Sequence, residues 1–175
     1  MNPPLSRIRL VQGNIVEVDV DAIVNAANSL LLGGGGVDGA IHRAAGPDLV
    51  AECRNVGGCK TGEARITAGY RLHARHVIHT VGPVFQDGKK GEPELLRSAY
   101  RNSLTLATEN ECKTVAFPAI STGIYGYPKE DAAQIAVDTV LDWLGDQSLP
   151  EIVTFVLFSA EDLAIYERIV DEMAP

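Results

Sequence analysis

The stretch Leu31–Gly46, LLGGGGVDGAIHRAAG, holds the residues best suited to chemistry. Glycine runs let backbone approach a ligand closely, and the ligand is often a phosphate. A carboxylate in such a run would repel a phosphate, so Asp38, just past the four glycines, needs another task. Gly34, Gly36 and Gly39 satisfy the G-x-G-x-x-G dinucleotide fingerprint. The context argues against it. Ala27 to Gly33 separate the preceding apolar run from Gly34, and NVGGCKTG is no strand where an acidic strand end should follow. Gly58-Cys59-Lys60-Thr61 is like the end of a P-loop, but Cys59 replaces the glycine before the lysine, and no apolar strand leads in. A turn is the simpler reading.

Other polar residues have both local and functional readings. Asn25 and Asn28 flank two alanines. They either cap turns of a long loop or recognise a ligand, and spacing does not choose between them. Ser121-Thr122-Gly123 is an ordinary loop by composition, or a nest of N–H groups for an anion. His73, His76 and His79 would share a helical face and suit a metal, but the segment reads as a strand, where His76 and His79 point to opposite faces. His42 packs or hydrogen-bonds within its short helix.

Strands and helices must position these groups. Apolar runs predict strands at Arg7–Val11, Asp21–Ala26, Glu63–Ala68, His76–Val81, Thr114–Ile120 and Ile152–Phe158. Helical spacing predicts helices over Val37–Ala45, Asp48–Val56, Pro93–Glu109, a long one opened by Pro128, and Glu161–Met173. This alternation indicates an α/β fold with a mostly parallel or mixed sheet between helix layers. Ligands sit at the carboxyl ends of strands in such sheets. The loops NAANSLLLGGGG, STGIYGY and Ser159-Ala160 should therefore converge on one cleft.

The chain has 175 residues, 46% hydrophobic and 22% charged, enough to bury roughly 70% of its unfolded surface in one domain. Its net charge of -8 argues against non-specific binding to nucleic acid or anionic membrane. An anionic small ligand would need backbone N–H groups or helix N-termini. Three cysteines without a CxxC pair make a disulfide framework or structural zinc site an unsuitable reading. No apolar run is long enough to span a membrane. The expectation is a cytoplasmic protein without metal or cofactor.

VQGNI (Val11–Ile15), DAIVNAAN (Asp21–Asn28), LLGGGGVDGAIHRAAGP (Leu31–Pro47), CKTGEARIT (Cys59–Thr67), VIHTVGP (Val77–Pro83) and VAFPAISTGIYGYP (Val115–Pro128) stand in one order. Together they resemble a macrodomain, the ADP-ribose-binding module, in its MacroD-type hydrolase branch. The likeness runs from about Arg9 to Arg168. It implies a three-layer α/β/α fold over residues 1–175, with a central mixed sheet of about six strands and one ADP-ribose in the cleft.

The resemblance also implies roles. Asn14 and Ile15 would meet the adenine, with Phe158 near its ring. Gly33, Gly34, Gly35, Gly36 and Val37 would line the distal ribose and one side of the diphosphate. Ser121, Thr122, Gly123, Ile124 and Tyr125 would wrap the other side, and Asn25 would lie at the floor. Asn28 and Asp38 match the pair tied to catalysis. Asp38 would orient water for attack on an ester at the ribose, while Asn28 fixes the ribose hydroxyls; the ligand's own α-phosphate also takes part in activating that water. Substrates would be proteins carrying ester-linked mono-ADP-ribose on acidic side chains, and O-acetyl-ADP-ribose, with the chain a monomer. The alternatives are a non-catalytic reader of ADP-ribose and a phosphatase acting on ADP-ribose-1″-phosphate. One departure stands out: Asn14 occupies a position where the family usually has aspartate.

Overall fold

A computed structural model describes residues 3–175. Its strands are β1 (Ile8–Gln12), β2 (Ala22–Ala26), β3 (Ala64–Ala68), β4 (His76–Thr80), β5 (Thr114–Phe117) and β6 (Ile152–Leu157). Its α-helices are α1 (Gly36–Ala45), α2 (Pro47–Val56), α3 (Glu92–Glu109), α4 (Lys129–Asp146) and α5 (Ala160–Met173). The expected α/β/α architecture with a mixed six-stranded sheet is what forms. The sheet order is β1-β6-β5-β2-β4-β3, and only β3 runs antiparallel to its neighbour.

Each element answers to its sequence. β2 reads as a nearly continuous apolar run because it is central and covered on both faces. Pro47 and Pro93 sit in the first turns of α2 and α3, where a missing N–H costs nothing. The expected strand Thr114–Ile120 is shorter than read. It ends at Phe117 because Pro118 brings no N–H to the ladder.

Side-chain alternation divides the core between the two faces. On one face Val24, Ile78, Phe117 and Phe155 pack under α3, α4 and α5, meeting Tyr100, Val140 and Tyr166. On the other, Ile23, Val77 and Ala116 pack with Ile41 and Leu49, from α1 and α2. Asn25 follows Ile23 by two residues and His79 follows Val77 by two, so both lie on the α1/α2 face. The register of β2 with β4 sets them side by side. No helix among the described residues is long and apolar enough to cross a membrane.

Candidate functional site

The parallel strands β1, β6, β5 and β2 all end at one edge of the sheet. Past those ends lies a cleft of about 690 Å³, within the usual range for a small-molecule site of about 300–1,000 Å³. Gly13 and Asn14 follow β1, Phe158 follows β6, Pro118 and Ala119 follow β5, and Ala27 and Asn28 follow β2; all line it. The three loops expected to converge do so, with one adjustment. After β6 the wall is made by Phe158 and Asp162, while Ser159 caps α5, its Oγ accepting from Asp162 N at 3.1 Å.

The glycine loop enters as backbone. Gly34, Gly35, Gly36 and Val37 line the cleft, and α1 begins at Gly36 with no side-chain cap. A helix N-terminus presents unpaired N–H groups and positive partial charge to whatever occupies the cleft. That is a site for an anion without lysine or arginine. Gly34 is also squeezed between two side chains. A Cβ there would lie 3.1 Å from Asp38 Oδ2 and 3.3 Å from Asn28 Nδ2, so any larger residue would make both side chains give by a few tenths of an ångström.

Opposite this loop, Ser121, Thr122, Gly123, Ile124 and Tyr125 form the other wall. Ser121 holds φ +69, a left-handed conformation that costs a residue with a Cβ roughly 1–2 kcal/mol. The turn is fixed by Tyr127 N donating to Ser121 O at 2.9 Å and Gly126 N donating to Gly123 O at 3.0 Å. The buried Ser121 hydroxyl has no partner among the described residues. At the rim Ile124 is 96% exposed and Phe158 84% exposed. Large apolar groups held out in solvent beside a cleft mark a surface that awaits a ligand.

Asn28 fulfils its local reading and keeps something spare. Its Oδ1 accepts from Leu30 N and Leu31 N at 3.2 Å, and its Nδ2 donates to Gly33 O at 3.0 Å. An amide nitrogen has two protons, so one is left for the cleft. Asp38 stands in the first turn of α1, where the helix field favours a carboxylate. It is 4% exposed yet reaches the cleft wall. Its Oδ1 accepts from Asn25 Nδ2 at 2.8 Å, and His42 Nε2 lies 3.4 Å from the same oxygen. Oδ2 faces Gly34 and accepts no hydrogen bond from the described residues, which leaves it for a water or hydroxyl.

Two expected contacts lie off the wall. Asn25 is fully buried and sits behind Asp38, because strand alternation turns it under α1. Gly33 packs toward the His42 ring, and its carbonyl is taken by Asn28. Asn14 and Ile15 are in place on the wall. Asn14 Oδ1 accepts from Val16 N at 3.2 Å, capping the short turn Ile15–Glu17.

Arg43 and Asp162 also line the cleft, although neither motif reading picked them out. The spacing held a signal for Arg43: Gly36, Ala40 and Arg43 follow the i, i+4, i+7 rhythm of one helix face. Among the described residues no group of three His, Cys, Asp or Glu side chains could hold a metal ion.

A doubly wound α/β/α sandwich with a crevice at its strand ends, walled by a glycine loop and a helix N-terminus, is the class these features define. Residues 24–136 match the Macro domain family. A macro domain-containing protein of Mesorhizobium japonicum is 60% identical over 170 residues, covering 97% of each chain. An Escherichia fergusonii protein named O-acetyl-ADP-ribose deacetylase is 54% identical, over 95% of this chain and 97% of its own. The Trypanosoma brucei macrodomain in complex with ADP-ribose is similar in structure, with a TM-score of 0.91 at 44% identity, over 97% of this chain and 71% of the other. The chain belongs to the macro domain family.

Proposed function

We propose that this chain binds ADP-ribose in the cleft and hydrolyses esters at the distal ribose, releasing mono-ADP-ribose from acidic side chains and acetate from O-acetyl-ADP-ribose. One observation carries the reading: Asp38 and Asn28 meet across Gly34 at the cleft wall, Asp38 with an unused carboxylate oxygen and Asn28 with a spare amide proton. A site that only bound the ligand would have no use for a buried carboxylate with a free oxygen beside the phosphate loop. The relative named as a deacetylase and the ADP-ribose held by the similar structure support it.

The chemistry follows from the placement. N–H groups of the glycine loop and of the Ser121–Tyr125 loop hold the diphosphate. The adenine rests by Asn14, Ile15 and Phe158, and the distal ribose reaches Asn28. Asp38 Oδ2 accepts a proton from water as the water oxygen bonds to the ester's electrophilic carbon. The ester C–O bond then breaks, and the leaving oxygen takes the proton from Asp38, which restores the carboxylate. General-base help of this kind is typically worth about 10²–10⁴-fold.

The test uses wild type and Asp38→Ala with a glutamate-linked ADP-ribosylated protein and with O-acetyl-ADP-ribose. Wild type should release product from both. Asp38→Ala should lose about 10²-fold or more in kcat while keeping most of its ADP-ribose affinity. Wild type that binds but releases nothing would be a reader, and an unchanged rate in the variant removes Asp38 from the mechanism.

A further inference from the structure

Behind Asp38 lies a chain of buried polar side chains that the reaction itself does not touch. Asn25, His79 and Thr67 are 0%, 0% and 3% exposed. Asn25 Nδ2 meets Asp38 Oδ1 at 2.8 Å and His79 Nδ1 at 3.1 Å. On the far side of the ring, His79 Nε2 meets Thr67 Oγ1 at 3.0 Å and Cys53 Sγ at 3.8 Å. The Thr67 hydroxyl can donate onward to Ala68 O at 3.2 Å. Four elements contribute: α1 holds Asp38, β2 Asn25, β4 His79 and β3 Thr67.

Only one set of proton positions satisfies this chain when Asp38 is ionised. The Asn25 amide faces an anion and a ring nitrogen with the same Nδ2. Both of its protons are therefore used, one for each. His79 Nδ1 must then be a bare acceptor, and Nε2 must carry the ring proton and donate to Thr67. The cost is visible: Asn25 Oδ1 is buried with no partner among the described residues, an unfavourable state for such a group. Turning the amide over would set Oδ1 against both the Asp38 carboxylate and the Nδ1 lone pair. The environment keeps the ring neutral, since burial and neighbouring His42 push the His79 pKa down to about 3.

We propose that His79 is a positioning residue: its Nε2-protonated ring, anchored by Thr67, fixes the orientation of the Asn25 amide and thereby holds the Asp38 carboxylate at the cleft wall. The inference rests on the hydrolase reading only for its consequence in turnover. Without the Nδ1 acceptor, the second Asn25 amide proton has no partner, and the amide is held by Asp38 alone, which loosens the short hydrogen bond that positions the carboxylate. Misplacing a reacting group by about 1 Å costs on the order of 10²-fold in rate. Binding of the diphosphate and adenine, made elsewhere in the cleft, should be spared.

The experiment compares His79→Leu, which removes both ring nitrogens, with His79→Asn, whose amide can again offer an acceptor to Asn25. With the glutamate-linked substrate, His79→Leu should lower kcat about 10- to 100-fold, with ADP-ribose Kd within about threefold of wild type. His79→Asn should recover most of the lost kcat. A wild-type kcat in His79→Leu overturns the proposal, and so does an equal loss of binding and turnover in both variants. Should the variants fail to fold, long-range 1H–15N spectra of the wild-type imidazoles decide. His79 with a protonated Nε2 and bare Nδ1 at neutral pH supports the proposal; the opposite tautomer or a charged ring overturns it. Wild type that binds ADP-ribose but cleaves nothing defeats the hydrolase reading alone, and the spectrum still settles His79.

Discussion

Gly39 lies against the main chain of the glycine loop: a Cβ placed on it would come 2.4 Å from the Gly34 carbonyl oxygen. That is far inside van der Waals contact, and the opposing atom is backbone that cannot rotate away. Gly39→Ala must therefore push α1 and the loop apart. The loop lines the cleft and seats Gly34 between Asn28 and Asp38. We expect an overpacking cost of roughly 1–3 kcal/mol in stability, and ADP-ribose affinity lower by about tenfold, some 1.4 kcal/mol. Calorimetric titration and thermal melts check both. Affinity equal to wild type would show that the loop does not depend on this contact.

Asn14 offers a second test, of adenine recognition. Its Oδ1 already caps Val16 N at 3.2 Å, so one amide oxygen serves both the cap and any ligand. An aspartate would keep the cap and add a second, charged acceptor. Hydrogen bonds to charged groups contribute about 1.5–3 kcal/mol against roughly 0.5–1.5 for neutral ones. Asn14→Asp should tighten ADP-ribose binding about three- to tenfold without changing kcat. No gain in affinity would sink the idea that Asn14 weakens adenine binding.

The sequence revealed the cleft more fully than the support behind it, for a physical reason. Gly34–Gly36 and Ser121–Gly123 announce themselves because loops that line a cleft with backbone need small residues in unbroken runs. Helix and strand types followed from periodicity, and Pro118 explains why β5 stops three residues short of Ile120. His79 was invisible as a partner of Asn25, because 54 residues separate them. Their meeting depends on β4 lying beside β2 in a register that no local pattern encodes. The same holds for Asn25, which strand alternation buries behind Asp38 instead of at the floor. Local chemistry is written in spacing, whereas sheet order is set by the competition of whole faces for burial.

Acid should weaken the fold in two windows that overlap between pH 4.5 and 3, with His79 alone acting above that range and Glu92 alone below it. His79 holds its proton only below about 3 when folded, against an ordinary value of 6.5. The unfolded chain binds the extra proton between those values, so the stability from keeping His79 neutral is full above pH 6.5 and is lost as pH falls toward 3. The groups facing it are Asn25 from β2, Cys53 from α2, Thr67 from β3 and His42 from α1, with Asp38 one residue further on behind Asn25. Glu92 acts lower. Its carboxylate accepts from the N–H groups of Gln86, Asp87, Gly88 and Lys90 at 2.6–3.2 Å, which holds its pKa near 2 against an ordinary 4.5. That contribution is full above pH 4.5 and is lost as pH falls toward 2. Denaturant titrations at stepped pH should show His79→Asn flattening the loss between pH 6.5 and 4.5, by up to about 1.4 kcal/mol per pH unit. Glu92→Gln should keep that slope and flatten the region below 4.5. Identical slopes in all three proteins would refute both assignments.

Arg7 lies at the opposite end of the sheet from the cleft, just before β1, and should affect stability alone. Its guanidinium is 2% exposed and faces no carboxylate oxygen at hydrogen-bond distance among the described residues. Instead it donates to four carbonyls: Leu144 at 2.7 Å, Gln147 at 2.9 Å, Pro150 at 2.6 Å and Glu151 at 3.3 Å. It thereby closes the C-terminus of α4, where unpaired carbonyls and the negative end of the helix field favour a cation, and pins the connection to β6. Each buried carbonyl left alone costs about 1–3 kcal/mol, though water reaching the opened site would satisfy some of them. Arg7→Met should therefore lose about 2–4 kcal/mol, and at roughly 2–4 °C per kcal/mol the melting temperature should fall by about 5–15 °C. Arg7→Lys keeps the charge but gathers its donors at one point, so it cannot span four carbonyls and should recover only part of the loss. ADP-ribose affinity below the melting range should stay at the wild-type value in both variants. A loss of affinity there would mean that this end of the sheet is coupled to the cleft, against the separation the structure shows.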